Sequence, residues 1–281
     1  MKHTMPARLE LKAQAKRRMG QALGACSALG AAVAITQLLA DAFLQRAGGA
    51  FPLYYWDTAG HAIQNSVSLS AQGLYAALRL EEMGIGLSVA VSPVMLLTFV
   101  LVHLCAAAVT APLHMGCLDH LWAAGRGDAK PFRGVFTWYT DLRQAGRAAL
   151  LEVILCAVQL ALLGLGCIPA AAVLVRSGGS LTGFTAAVWL FAAAQAAVWC
   201  VMTQLLPARY LLSRKSDAGV GAALRECRAL LRSRRGQYLL FRLSFWIWDL
   251  LNSLSRGILN LYVFPYEGLA NMGWIEAAEQ D

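Results

Sequence analysis

The sequence predicts an all-α fold, a polytopic transmembrane helical bundle of about six spans with both termini in the cytoplasm. Three observations predict it. Hydrophobic residues make up 58% of the 281 and charged residues only 14%, against about 25% charge in an ordinary soluble chain. The apolar residues gather into runs of about 20, the length that crosses about 30 Å of hydrocarbon. The 24 lysines and arginines crowd into alternate connections, as the positive-inside rule requires. No polar stretch reaches the size of a separate soluble domain, so residues 1–281 form one integral membrane domain.

Residues 1–19 carry Lys2, Arg8, Lys12, Lys16, Arg17 and Arg18 ahead of an apolar run over 22–40. A basic start before an apolar core also marks a signal peptide, but this run is of spanning length, so it predicts a retained first helix. Gly20, Gly24 and Ala28 place small residues on one face, where another helix can approach closely. Residues 46–83 form an extracytoplasmic loop. Within it Phe51-Pro52-Leu53-Tyr54-Tyr55-Trp56 has the aromatic, proline-broken character of chain at the headgroup level, and 68–80 reads as a short interfacial helix.

The second span covers 85–110, with Pro93 near its start and Pro112 just beyond. A basic segment, 114–147, follows; Gly125, Gly127 and Pro131 break it into a turn and an amphipathic stretch holding Phe132, Phe136, Trp138 and Tyr139. The third span, 148–175, contains Pro169 and is expected to bend there. The short Arg176-Ser177-Gly178-Gly179-Ser180 connection makes spans three and four (184–206) an antiparallel hairpin, and Pro207 stops the second of them.

The cytoplasmic segment 207–236 holds a basic amphipathic helix. Val220, Ala223, Leu224, Cys227 and Leu231 recur at helical spacing, Arg225, Arg228 and Arg232 lie opposite, and Asp217 is the expected N-cap. Arg234 and Arg235 extend the basic end. A fifth span is expected over 238–254, a shorter sixth over 258–272, and a disordered acidic tail after Glu276.

Lysine and arginine counts set the orientation: six before the first span, two in the first loop (Arg46, Arg79), five in the second, one in the third (Arg176) and eight from Arg209 to Arg235. Cys227 is then expected to react with thiol reagents from the cytoplasmic side. The formal charge of +8 is explained by topology and anionic headgroups, which removes nucleic acid as a partner. Seven cysteines without a CxxC pair read as small buried hydrophobes rather than as a disulfide or zinc framework.

Polar residues in spanning segments are costly and mark function by default. Arg242, Asp249, Asn252 and Arg256, spaced seven, three and four apart, fall on one helical face. They form either an internal ion-pair ladder or a polar pathway for ions or headgroups. Glu152 and Gln159 share a face of the third span, with Glu152 snorkelling to the cytoplasmic interface. His103 and His114 lie about 16 Å apart along one helix, too far for a shared metal, and Asp119 and His120 do not share a face. HExxH, Walker and GxSxG patterns are absent from the sequence. Neither a metal nor a cofactor is expected. Gly219-x-Gly221 beside arginines is a weak phosphate signal.

The run Leu243-Ser244-Phe245-Trp246-Ile247-Trp248, followed by Gly257-Ile258 and Pro265-Tyr266, resembles a bacterial membrane family called domain of unknown function nine-seven-five. Ala223, Glu226, Leu230 and Leu231 match its preceding amphipathic helix; Arg8, Leu11, Lys12, Ala15, Lys16 and Gly20 match its basic N-terminal motif. Asp249, Asn252 and Arg256 depart from it where apolar or small residues are the rule, as does Ser233, and Ala196-Ala197-Val198 stands near the place of its isoleucine-proline-glycine element. The resemblance implies a multi-helix domain in the bacterial cytoplasmic membrane and no particular activity.

These features lead to a non-enzymatic integral membrane protein that binds membrane lipids, anionic ones included, or another membrane protein through Arg225, Arg228, Arg232, Arg234 and Arg235. The alternative is a small transporter or flippase-like protein using the polar face of the fifth span. An intramembrane enzyme ranks third, since no nucleophile–base pair stands out.

Overall fold

The computed structural model describes residues 8–49, 53–56, 62–65, 93–128, 130–177, 180–215, 217–255 and 257–280. Its regular structure is helical apart from one antiparallel ribbon, Leu53–Trp56 with Ala62–Asn65, in register Leu53 to Asn65 and Trp56 to Ala62. The ribbon occupies part of the segment expected as a loop; the interfacial helix expected over 68–80 lies outside the described residues.

The helices are α1 (Arg8–Gln21), α2 (Leu23–Gly49), α3 (Pro93–Gly125), α4 (Thr137–Thr140, after a 3₁₀ turn Phe132–Phe136), α5 (Leu142–Arg176), α6 (Leu181–Leu205), α7 (Pro207–Arg214), α8 (Val220–Leu231), α9 (Arg235–Leu243), α10 (Trp246–Leu254) and α11 (Asn260–Gln280). Two compact units divide the chain: one made of 1–37 with 107–281, the other of 38–106. The smaller holds the continuation of α2, the ribbon and the first part of α3.

Four stretches are long and apolar enough to cross a membrane: Leu23–Ala40, Val100–Gly125, Leu142–Val173 and Leu181–Arg214. Their surfaces carry Ile35, Val109, Leu150, Leu165, Ile168 and Trp189 outward, as a helix solvated by hydrocarbon does. Glycine sets the close approaches elsewhere than expected. Gly20 and Gly24 face open space, whereas a Cβ on Gly30 would come within 2.5 Å of the Asn260 carbonyl, and one on Gly166 within 2.6 Å of Ala194 Cβ.

Helix ends follow local chemistry. Asp141 Oδ1 accepts from the Arg143 N–H at 2.9 Å and Ser180 Oγ from the Gly183 N–H at 3.2 Å, capping α5 and α6. α3 closes on a Schellman motif. The Asp128 N–H reaches the Ala123 carbonyl at 2.9 Å and the Gly127 N–H that of Ala124 at 3.1 Å, with Gly127 at φ +86°, where only glycine is unstrained. Pro207 opens α7 from its first turn. Asp217 is not the N-cap of α8: Gly219 takes that position, without a side-chain bond. α3 runs through Pro112 and α5 through Pro169, so neither proline ends its helix.

The last third of the chain departs most from expectation. The expected fifth span is divided at Ser244–Phe245 into α9 and α10, nine residues each, about 13 Å long at 1.5 Å per residue. Ser244 Oγ turns back onto the Phe241 carbonyl at 2.6 Å, and the Ser244 carbonyl accepts from Lys12 Nζ at 2.7 Å. A serine bonding its own backbone competes with helix continuation, and here a lysine captures the carbonyl as well. α11 starts near the expected sixth span but continues to Gln280. The acidic end is helical and paired, not a loose tail: Glu276 meets Arg18 at 3.3 Å, and Glu279 takes Arg214 at 2.5 and 2.9 Å.

α11 is the centre of the larger unit. Thirteen of its residues are buried, against Leu11, Ala15 and Met19 of α1, Leu121 of α3, and α7, α8 and α9. Rings continue the packing. Tyr238 lies 4.6 Å from Trp274, Phe241 5.3 Å from Phe245, Phe245 5.4 Å from Tyr266, and Tyr262 5.3 Å from Trp248. Each such pair adds about 1 kcal/mol to area burial.

Candidate functional site

The break between α9 and α10 places a set of polar groups against α11. Arg242, in the last turn of α9, donates to Glu267 Oε2 at 2.7 Å and reaches Asp249 Oδ2 at 3.5 Å. One helical turn along, the Tyr238 hydroxyl donates to Asn271 Oδ1 at 2.9 Å, and Asn271 Nδ2 donates back to the Glu267 carbonyl at 2.7 Å. Tyr238 and Asn271 are fully enclosed, and Arg242 and Glu267 keep 8% and 9% of their surface. The Asp249 side chain is 40% exposed. The network thus runs from a sealed interior to the surface.

α1 closes it from the other side. Lys12 Nζ sits 4.2 Å from the Phe245 ring centre while bonding the Ser244 carbonyl; Lys16 lies 5.7 Å from the Tyr266 ring, and Arg8 donates to the Leu240 carbonyl at 3.3 Å. These are cation–π contacts and helix-end carbonyl caps.

Electrostatics follow from burial. Burial pushes the Glu267 carboxyl up to about 7, against the pull of Arg242 and with a further push from Asp249. Burial also opposes the Arg242 charge, but Glu267 outweighs it and holds the guanidinium protonated more firmly than usual. Burial lowers Lys12, and Glu267 partly restores it. Glu267 Oε1 and Arg242 Nε stay buried without a partner, so the pair is short of the bonds that would offset its desolvation in full.

The expected site residues divide accordingly. Arg242 and Asp249 do meet, but across a helix break rather than down one helical face, and the principal partner of Arg242 is Glu267, which the sequence did not single out. Asn252 belongs to a separate ladder: its Nδ2 donates to Asn260 Oδ1 at 2.8 Å, and Asn260 Nδ2 to Gln37 Oε1 at 2.7 Å. Arg256 lies outside the described residues. Arg225 and Arg228 of α8, Arg232 just after it and Arg235 at the start of α9 are exposed, while Val220, Ala223, Cys227 and Leu231 of α8 are buried, the two faces expected. Arg234 turns away from that row and donates to the Ala278 carbonyl at 2.6 Å. Cys227 is 1% exposed, its Sγ 3.3 Å from the Gln204 carbonyl, so it does not serve as an accessible thiol reporter.

A second charged pair was misjudged. Glu152 does not snorkel; it is buried and accepts from Arg209 at 2.6 Å, with Glu152 Oε1 and Arg209 Nε unpartnered, while Gln159 is exposed. His114 packs edge-on to Phe264 at 5.6 Å. His120 places its two ring nitrogens 3.0 and 3.2 Å from the Gly116 and Pro131 carbonyls. Among the described residues no three His, Cys, Asp or Glu side chains come together to hold a metal, and their cysteines are free thiols, with Cys105 exposed rather than buried.

Compared with protein-family models, with curated proteins and with solved structures, the chain matches none.

Proposed function

We propose that this chain is a non-enzymatic, multi-pass protein of the bacterial cytoplasmic membrane that holds anionic lipid headgroups against the basic face of α8. One observation carries the reading: Arg225, Arg228, Arg232 and Arg235 are all exposed, from α8 to the first residue of α9, while the other face of α8 is packed into the body of the protein. Such a row gains roughly 1 kcal/mol per arginine near an anionic surface. The topology supports it. α1 and α11 lie side by side, joined by Arg18 and Glu276, the arrangement an even number of spans would give. The basic counts favour the cytoplasm for that face.

The test uses the full chain in nanodiscs of zwitterionic lipid doped with phosphatidylglycerol. Native mass spectrometry should find anionic lipid retained on the wild type and lost when the four arginines become glutamine. Equal retention by the glutamine variant would remove the reading. A protein partner taking the same face would instead co-purify in proportion to the arginines left.

A small transporter is the second reading, because the buried Arg242–Glu267 pair is joined to the partly exposed Asp249. It requires Asp249→Asn to abolish an ion flux in proteoliposomes followed by pH- and potential-sensitive dyes.

A further inference from the structure

We infer that α9, α10 and the first turns of α11 form a re-entrant hairpin: it enters the membrane from the side of α1, turns back within the bilayer beside α2, and lays one apolar stripe against lipid acyl chains. Its tip, its outer face and its length each point that way.

The tip lies at membrane depth. Gly30 and Gln37 both belong to the α2 stretch that is apolar enough to span, Leu23–Ala40. The Asn260 and Leu261 carbonyls press on Gly30 so closely that a Cβ there would meet them at 2.5 and 2.6 Å. Gly257, at φ +84°, would place a Cβ 3.1 Å from Gln37 Oε1. The chain therefore reverses alongside the interior of a spanning helix. Backbone that turns inside hydrocarbon must satisfy its own polar groups or hide them in protein. Here the Gly257 N–H reaches the Asn252 carbonyl at 2.8 Å, the Leu259 N–H reaches Ser255 Oγ at 3.2 Å, and the Asn260 N–H reaches the Gly257 carbonyl at 3.0 Å. The Asn252–Asn260–Gln37 ladder pins the tip to α2.

The outer face is apolar over the whole approach. Leu243, Ile247, Leu250, Leu254, Ile258 and Leu261, spaced four, three, four, four and three residues apart, are 44–73% exposed. On these helices Arg242 turns onto Glu267 and Asn252 onto Asn260, while Asp249, 40% exposed, stays beside Arg242. That is the amphipathy of a helix whose solvent is lipid and whose polar side is the protein.

α10 alone is too short to cross. α10 has nine residues, about 13 Å against about 30 Å of hydrocarbon. It begins just past Ser244, where Lys12 and Arg242 hold the neck with charged groups suited to the interface. In the sequence Arg256 is the one formal charge between Leu250 and Tyr266. A crossing hairpin would deliver it to water on the far side, and a re-entrant one would not.

The decisive experiment is membrane-impermeant maleimide labelling of full-length single-cysteine additions, read as the increment over the parent chain in right-side-out and inverted vesicles. Arg228→Cys, on the exposed face of α8, marks the side of the hairpin's base. Arg256→Cys and Ile258→Cys should gain no label from either face until detergent is added, while Arg228→Cys labels from one face. Labelling of Arg256→Cys from the face opposite Arg228→Cys would show a crossing hairpin and overturn the inference. Labelling of Ile258→Cys from the same face, as readily as Arg228→Cys, would overturn it too, by placing the stripe in water. In an otherwise native chain, benzoylphenylalanine at Leu254 should cross-link to phospholipid. Capture of a polypeptide instead would reject acyl chains as the occupant.

Discussion

α8 and the α9–α10 pair follow one another in the chain and are amphipathic in opposite senses. α8 turns Val220, Ala223, Cys227 and Leu231 inward and its arginines outward. The next two helices turn Arg242, Asp249 and Asn252 towards protein partners and leucines outward. The number of apolar residues hardly separates them. What differs is which face the rest of the molecule covers, and under the proposals above that sets the medium each helix meets: water and headgroups for α8, hydrocarbon for α10.

Substitutions can break that contrast. The largest effect is expected at the inward charge. Arg242→Ala leaves Glu267 buried without its partner, which costs about 3–5 kcal/mol and should appear as a large drop in melting temperature in mild detergent. Arg242→Met with Glu267→Leu should recover most of it. A charge on the outward stripe comes next: Leu254→Arg should cost about 3 kcal/mol if that face meets lipid, read as lost yield of monodisperse protein from membranes. Ala229→Lys on the exposed side of α8 should cost almost nothing. Equal effects at the two positions would erase the contrast.

Glu267 adds a pH dependence. Its carboxyl titrates near 7 in the fold and near 4.3 when unfolded, so between those values the folded chain binds the extra proton. Stability is therefore greatest below about pH 4 and falls as pH rises through 7, by roughly 3–4 kcal/mol relative to Glu267→Gln. Thermal melts of the two proteins across that range check it. Each arginine of α8 replaced by glutamine should weaken anionic-lipid binding by about 1 kcal/mol, and less at high salt. The smallest effect belongs to Asp249→Asn. With a 3.5 Å contact and a 40% exposed carboxylate, it should shift stability by well under 1 kcal/mol.

The spans were legible because hydrocarbon thickness sets a run length that survives any packing: α2, α5 and α6 lie where apolar runs predict them. Pro207, Ser180 and Gly127 marked boundaries through chemistry confined to a few residues. The two faces of α8 were legible for the same reason. The division of α9 from α10 was not, since the lysine that takes the Ser244 carbonyl stands 232 residues away. Within residues 238–254 the sequence offered Asp249 as the partner of Arg242, seven residues on, while Glu267 lies 25 away on another helix. Glu152 and Arg209, 57 apart, were hidden likewise. Glu276 and Glu279 carried a signal that went unused: their three-residue spacing puts both on one side of a helix, opposite arginines in need of partners.

The bond from Lys12 to the Ser244 carbonyl also sets a schedule. α1 leaves the ribosome first, yet Leu11, Ala15 and Met19 pack against helices made last. At 5–20 residues per second, those apolar side chains wait roughly 10–50 s for their cover. A nascent chain that stops short of α11 would keep them bare, and such a truncated copy should be cleared rather than accumulate.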